Sequence, residues 1–232
     1  MGDPAVVDGR NPVAQGDWQR AMAFLDAALK HRRAGRPAAR IGSAREEAAL
    51  SKTYAKLDEK LIAFIRRQKL FFIATAPLSA RGSVNVSPKG YDSLAIIDER
   101  TLAYVDLGGS GIETHGHVRE NGRITLMFCA FEGPANILRV YGCGESTTFD
   151  EAGFAEKLSL FPDFGRARAV VTVNITKVAD SCGWGVPFFD YRGERDQLRR
   201  WVDDKPEDDW KARRYETNTL SIDGLPGLVK AD

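Results

Sequence analysis

Two short segments carry residue types able to hold an anion. In VNVSPKGYDS (84–93), Ser87, Lys89 and Ser93 crowd one strand-to-loop passage, and Pro88 and Gly90 shape its backbone so that Lys89 can project. A little further on, YVDLGGSGIET (104–114) ends a strand in glycines and leads into a predicted helix from Ser110 to Asn121. A helix start offers backbone N–H groups with no intrahelical partner, here beside the hydroxyls of Ser110 and Thr114. A phosphate fits between the two segments. Each charge-assisted hydrogen bond contributes about 1.5–3 kcal/mol, so several together hold a phosphorylated cofactor against dilution. The same residues admit a plainer reading, with Ser110 capping the helix and Lys89 solvated. Pattern alone leaves both open.

Other chemistries fit less well. Gly109-Ser110-Gly111 carries part of a dinucleotide fingerprint, but the third glycine and the parallel βαβ setting are missing. His115 and His117, two residues apart on the predicted helix, diverge and have no cysteine or carboxylate at ligand spacing, so no metal site is expected. No GxSxG elbow occurs, and His31 lies in a basic stretch, so a hydrolytic triad would have to be built from parts the sequence does not signal.

The elements that must position Lys89 and the glycine loop are mostly strands. LFFIATA (70–76), SVNVSPK (83–89), TLAYVDL (101–107), RITLMFCAFE (123–132), ANILRVYGCGEST (135–147) and ARAVVTVNITKVADS (168–181) are β-rich and punctuated by Gly, Pro, Asp and Asn. Their intervals are mostly too short for βαβ crossovers, so six strands predict an antiparallel barrel. Leu57, Leu61, Phe64 and Ile65 predict a helix leading into it, closed by Arg66, Arg67 and Lys69. Further helices are expected over 149–158, 194–204 and 208–215.

Before residue 50 the composition turns rich in Ala and Arg. Trp18, Met22, Leu25 and Leu29 follow Asp17 at helical spacing and predict an amphipathic helix over 17–31, its stripe covered by the barrel or a second subunit. Basic residues at Lys30, Arg32, Arg33, Arg36 and Arg40 follow, read as a solvated link. The expected division is a helical, partly flexible extension over 1–50 and a barrel domain with C-terminal helices over 51–232. The 232 residues are 43% hydrophobic and 28% charged, an ordinary globular balance. With 33 basic and 32 acidic residues, no net field draws the chain to nucleic acid or an anionic membrane. No apolar run approaches the ~20 residues of a membrane span, and the start lacks an export signal, so a cytoplasmic location is expected. Cys129, Cys143 and Cys182 are an odd number at wide spacing and are expected as free thiols.

FFIATAPLSARGSVNVSPKGYDS, TLAYVDLGGSGIETHGHVRENGRITLMFCAFEGPANILRVYGCGE, DSCGWGVPFFDYRGERDQLRRW and SIDGLPGL, in that order, resemble the pyridoxamine 5'-phosphate oxidase-related, FMN-binding split-barrel family. The similarity runs from about Leu57 to Leu228. It implies an α+β, β-rich chain, a six-stranded antiparallel split β-barrel with flanking helices, and a homodimer with FMN in each of two interface clefts. By motif, Asn85, Val86, Ser87 and Lys89 match the strand whose end binds FMN, with Lys89 on the phosphate side. Tyr104 and Val105 match the strand whose backbone runs beside the isoalloxazine ring. Gly109, Ser110, Gly111 and Thr114 match the phosphate loop, although relatives carry Ser-Arg-Lys there. Arg139 and Tyr141 match a strand facing the cofactor, and Trp184 an aromatic that reaches the ring from the other subunit.

Pyridoxamine-phosphate oxidases proper follow the aromatic motif with an Arg-x-His pair, whereas this chain continues Gly185-Val186-Pro187-Phe188-Phe189. The resemblance therefore implies a flavin-dependent oxidoreductase acting on a small, flat or apolar substrate, with hydride transfer at flavin N5 and no essential catalytic side chain. A deazaflavin (F420)-dependent reductase and a non-enzymatic flavin or haem binder are the alternatives. Cys182 reads as a small apolar residue under a turn.

Overall fold

The computed structural model describes residues 52–230. The predicted helix over 17–31, the basic link and the 1–50 extension lie outside the described residues.

Asp58 opens the first helix, α1 (Glu59–Arg67), its side chain accepting from the Leu61 N–H. Glu59 at the start and Arg66 and Arg67 at the end complement the helix dipole. Its buried face, Leu61, Phe64 and Ile65, joins Leu57 in the barrel core.

Eight antiparallel strands follow the order β3-β2-β6-β7-β8-β5-β4, with β1 added beside β8. They are β1 (Thr53–Tyr54), β2 (Phe71–Thr75), β3 (Asn85–Lys89), β4 (Leu94–Ile96), β5 (Thr101–Asp106), β6 (Arg123–Cys129), β7 (Ile137–Thr148) and β8 (Ala169–Ser181). The six expected strands are all present, but the sheet path holds seven, and β1 is a further two-residue strand. The additional path strand, β4, has three residues, too few for alternation to register in sequence.

Sheet curvature follows from connectivity. β3 and β4 are the two ends of the path, yet only Gly90 to Ser93 separate them. Laid flat, seven strands put the outer pair ~29 Å apart. Five chain steps from Lys89 to Leu94 reach at most ~18 Å, so the sheet must curl on itself. Tyr91 (φ 65°) and Asp92 (φ 52°) turn this link in the left-handed region, and Ser93 N–H donates to the Gly90 carbonyl at 3.2 Å. Arg199 steadies the strained turn, lying over the Tyr91 ring at 5.2 Å and donating to its carbonyl at 3.2 Å.

Alternate residues of the strands fill the interior: Phe71 and Ile73, Leu102 and Tyr104, Ile124, Leu126 and Phe128, Leu138 and Val140, Val171 and Val173. A bulge at Tyr141/Gly142 shifts the register of the long β7-β8 ladder. A Cβ on Gly142 would lie 2.6 Å from the Asn174 carbonyl oxygen. β5 is buried on both faces. Its outward residues Ala103 and Val105, with Val170, lie under Phe161, Phe164, Val202 and Trp210 in a second core.

Four more helices flank the sheet: α2 (Glu113–Asn121), α3 (Phe154–Leu158), α4 (Gln197–Asp203) and α5 (Glu207–Thr217). Among the described residues no helix is long and apolar enough to cross a membrane. Cys129, Cys143 and Cys182 are free.

Candidate functional site

A cavity of about 290 Å³ lies where the end of β3 meets the end of β5 and the loop before α2. Ser87, Lys89, Ser93, Val105, Gly109, Ser110, Gly111, Thr114 and Arg168 are among its lining residues.

Asp106 is its electrostatic centre. One carboxylate oxygen accepts from the Gly108 N–H at 3.1 Å and lies 3.4 Å from Lys89 Nζ, and the other accepts from Arg168 at 2.7 Å. Burial alone would raise this carboxyl. The charges of Arg168 and Lys89, with hydrogen bonds from Arg168 and Gly108, outweigh burial and hold it well below the usual carboxylate range. Gly108 turns at φ 82°, and a Cβ there would come within 2.9 Å of the Arg214 guanidinium, so the position takes only glycine.

The loop is held from behind. Arg168 Nη1 donates to the Gly111 carbonyl at 2.7 Å and to Asn218 Oδ1 at 2.9 Å, and Arg214 Nη1 donates to the Gly109 carbonyl at 2.9 Å. Burial first, and the nearby charge of Arg168 second, lower the Arg214 guanidinium to about 10. The C-terminal SIDGLPGL segment supports Asn218: Leu228 N–H donates to the Asn218 carbonyl at 2.7 Å, and Gly227 packs where a Cβ would lie 2.2 Å from that oxygen.

α2 begins later than the sequence predicts. Its N-cap is Ile112, with no side-chain cap, so the helix runs from Glu113 and the Ser110 hydroxyl does not cap it. Among the described residues the N–H groups of Gly109, Ser110 and Gly111 have no acceptor. The Ser93 hydroxyl, in the cavity wall, is buried without a hydrogen-bond partner. Glu113 folds back toward Gly111 and sets a negative charge at the rim.

Five consecutive α2 residues, Thr114 to Val118, are buried. His115 Nδ1 meets Ser146 Oγ at 2.8 Å on β7, and His117 Nδ1 meets Thr75 Oγ1 at 3.0 Å on β2. The rings thus diverge to separate strands. Burial, with the charges of Arg119 and Arg168, pushes His115 down to about 4.

Eight of the sequence-identified residues, Ser87, Lys89, Ser93, Val105, Gly109, Ser110, Gly111 and Thr114, line this one cavity. Asn85 stands one bond behind it, donating to Thr114 Oγ1 at 2.9 Å. The others lie elsewhere. Val86 is exposed on the edge strand, and Tyr104 turns its ring into the barrel against Phe71 at 6.2 Å while its backbone pairs with both neighbouring strands. Arg139 donates to Ser181 Oγ at 3.1 Å and does not line the cavity, and Trp184 is 74% exposed. Sequence reasoning passed over Asp106, Arg168, Arg214 and Asn218. Only Asp106, which directly precedes the glycine loop, carried a signal, as a carboxylate at a strand end.

A larger groove, about 1240 Å³, lies beside α1 and is lined by Phe64, Phe72, Phe131, Phe189 and Tyr191 among others. None of the loop donors reaches it. Gln68 and Lys69 line both this groove and a third cavity of about 160 Å³, which in turn shares Gly90 and Ser93 with the Lys89 cavity.

Comparison with known proteins gives one sequence relative and two solved structures that align with the chain. The chain is 37% identical over 196 residues to the pyridoxamine 5'-phosphate oxidase family protein ustO of Aspergillus flavus, covering 77% of this chain and 78% of that protein. An FMN-binding protein from Syntrophomonas wolfei subsp. wolfei aligns with a TM-score of 0.40 at 14% identity, over 67% of this chain and 95% of its own. The haem storage protein HutZ from Vibrio cholerae aligns at 0.35 and 14% identity, over 52% and 90%. Residues 57–182 match the family pattern described as pyridoxamine 5'-phosphate oxidase. On that match and the identity to the Aspergillus protein, the chain belongs to the pyridoxamine 5'-phosphate oxidase family.

Proposed function

We propose that the chain is an FMN-dependent oxidoreductase whose Lys89 cavity receives the cofactor's phosphate. One observation carries this reading: Lys89, the acceptor-free N–H groups of Gly109, Ser110 and Gly111, the Thr114 hydroxyl and the unpartnered Ser93 hydroxyl all belong to a single cavity. This is a donor set for a phosphate group. Lys89 and Arg168 supply positive charge, and Asp106 keeps both in place.

The cavity, at about 290 Å³, holds a phosphate and its sugar-alcohol chain, while whole drug-sized ligands occupy roughly 300–1,000 Å³. The ring system therefore extends beyond this lining, across the contact with a second copy of the chain. Exposed Val84 and Val86 on the edge strand and exposed Trp184 and Phe188 are surface of the kind such a contact buries. Bound there, the flavin supplies hydride transfer at N5. The protein's part is to bind, orient and exclude water. Phe131, Phe189 and Tyr191 around the larger groove favour a flat, weakly charged substrate.

A haem reading finds less support. Both described histidines are buried, with Nδ1 hydrogen-bonded and Nε2 enclosed away from solvent, so among the described residues neither presents an imidazole nitrogen to an open cleft. An absorbance spectrum of the purified chain tests the proposal. A yellow chromophore released on denaturation and identified as FMN supports it. A colourless protein that takes up deazaflavin but not FMN, or a Soret band, overturns it.

A further inference from the structure

We infer that Arg214 is a positioning residue for the phosphate cavity, holding the Gly109 carbonyl away from the ligand so that the Ser110 N–H stays turned toward it, while Arg168 ties down the far end of the same loop at Gly111. The inference rests on the phosphate reading above and deepens it.

The peptide group is planar and trans, so fixing a carbonyl fixes the next N–H in the opposite direction. Arg214 bonded to the Gly109 carbonyl sets the Ser110 N–H, and Arg168 bonded to the Gly111 carbonyl anchors the loop where it leaves the cavity. Packing does not do this at Gly109, where a Cβ would meet nothing within 4 Å. Two glycines flanking Ser110 leave the backbone free to rotate unless hydrogen bonds hold it. The arginines themselves are locked. Arg214 is buried and lies over the Trp201 ring at 4.3 Å, and Arg168 is pinned by Asp106 and Asn218. Their buried positive charge stands behind the loop amides. Ser93 supplies an independent sign that the cavity serves a polar ligand, since its hydroxyl is buried there without a partner.

The test uses the full chain with Arg214→Lys and Arg214→Met. Lys keeps a donor within reach of the Gly109 carbonyl, and Met removes it. FMN and riboflavin are titrated by flavin fluorescence, and inorganic phosphate is titrated against the Ser110 backbone amide resonance. The Met variant is expected to lose about tenfold in FMN affinity, a difference of ~1.4 kcal/mol, with riboflavin affinity unchanged and the phosphate-induced Ser110 shift lost. The Lys variant is expected to keep most of the wild-type FMN affinity. FMN affinity undiminished in the Met variant, a parallel fall of FMN and riboflavin, or an equal loss in Lys and Met overturns the inference. Wild-type chain that binds FMN no more tightly than riboflavin defeats the phosphate reading, and the inference falls with it.

Discussion

Arg168 is bonded to Asp106 twice, backbone N–H to carbonyl at 2.8 Å and guanidinium to carboxylate at 2.7 Å. This double tie fixes the start of β8 to the end of β5 and places a buried ion pair in the cavity wall. Removing one partner of such a pair leaves the other charge uncompensated. Asp106→Ala is therefore expected to lower the unfolding free energy by about 3–5 kcal/mol, measured by urea denaturation. A loss below about 1 kcal/mol is what an exposed pair gives and contradicts this assignment.

Lys89 reaches Asp106 only at 3.4 Å and keeps partial exposure, so it can turn to an incoming anion. Lys89→Ala is expected to weaken FMN binding by about 1.5–3 kcal/mol and leave riboflavin binding alone. Unchanged FMN affinity in a fluorescence titration removes Lys89 from the phosphate site.

Acid should destabilise the fold in two stages. His115 titrates near 4 in the folded chain against an ordinary 6.5, so as pH falls from 6.5 toward 4 the unfolded chain takes up a proton that the folded chain refuses. Stability drops across that window by about 3 kcal/mol and levels off below it. Asp106 acts lower down: its depressed carboxyl contributes stability present above the ordinary 3.8 and lost as pH falls further. Thermal unfolding midpoints against pH check both stages, and His115→Asn should shrink the upper one alone, the remainder belonging to His117, which burial also lowers. An unaltered pH profile in that variant rules out His115 as the source.

Self-association is the fourth expectation. Sedimentation of the full chain should give two copies per particle, and Trp184→Glu combined with Phe188→Glu should shift it toward one copy and reduce flavin retention. A monomeric wild type with full FMN affinity contradicts the interface placement of the ring.

The curled antiparallel sheet was readable in sequence because its strands carry period-two apolar runs, from Phe71 and Ile73 through Val171 and Val173. Residues of the cavity's front, Lys89 and the glycine loop, were readable because cations and glycines stand out locally. Its back was not. Arg168, Arg214 and Asn218 reach the loop from far along the chain, and nothing in GRARAV or WKARRYETN separates a buried arginine from a solvated one. The α2 boundary was misplaced for a related reason. Ser110 has the composition of a cap, but tertiary hydrogen bonds from two arginines hold its neighbours' carbonyls in a loop instead.

The outermost strands β3 and β4 are neighbours in sequence, and the link between them, Gly90 to Ser93, borders both the Lys89 cavity and the small one beside it. The curled sheet thus has a seam, and on the proposed reading a bound flavin is a keystone set beside that seam. Loading should harden the whole shell against heat in proportion to the logarithm of free ligand concentration above its dissociation constant.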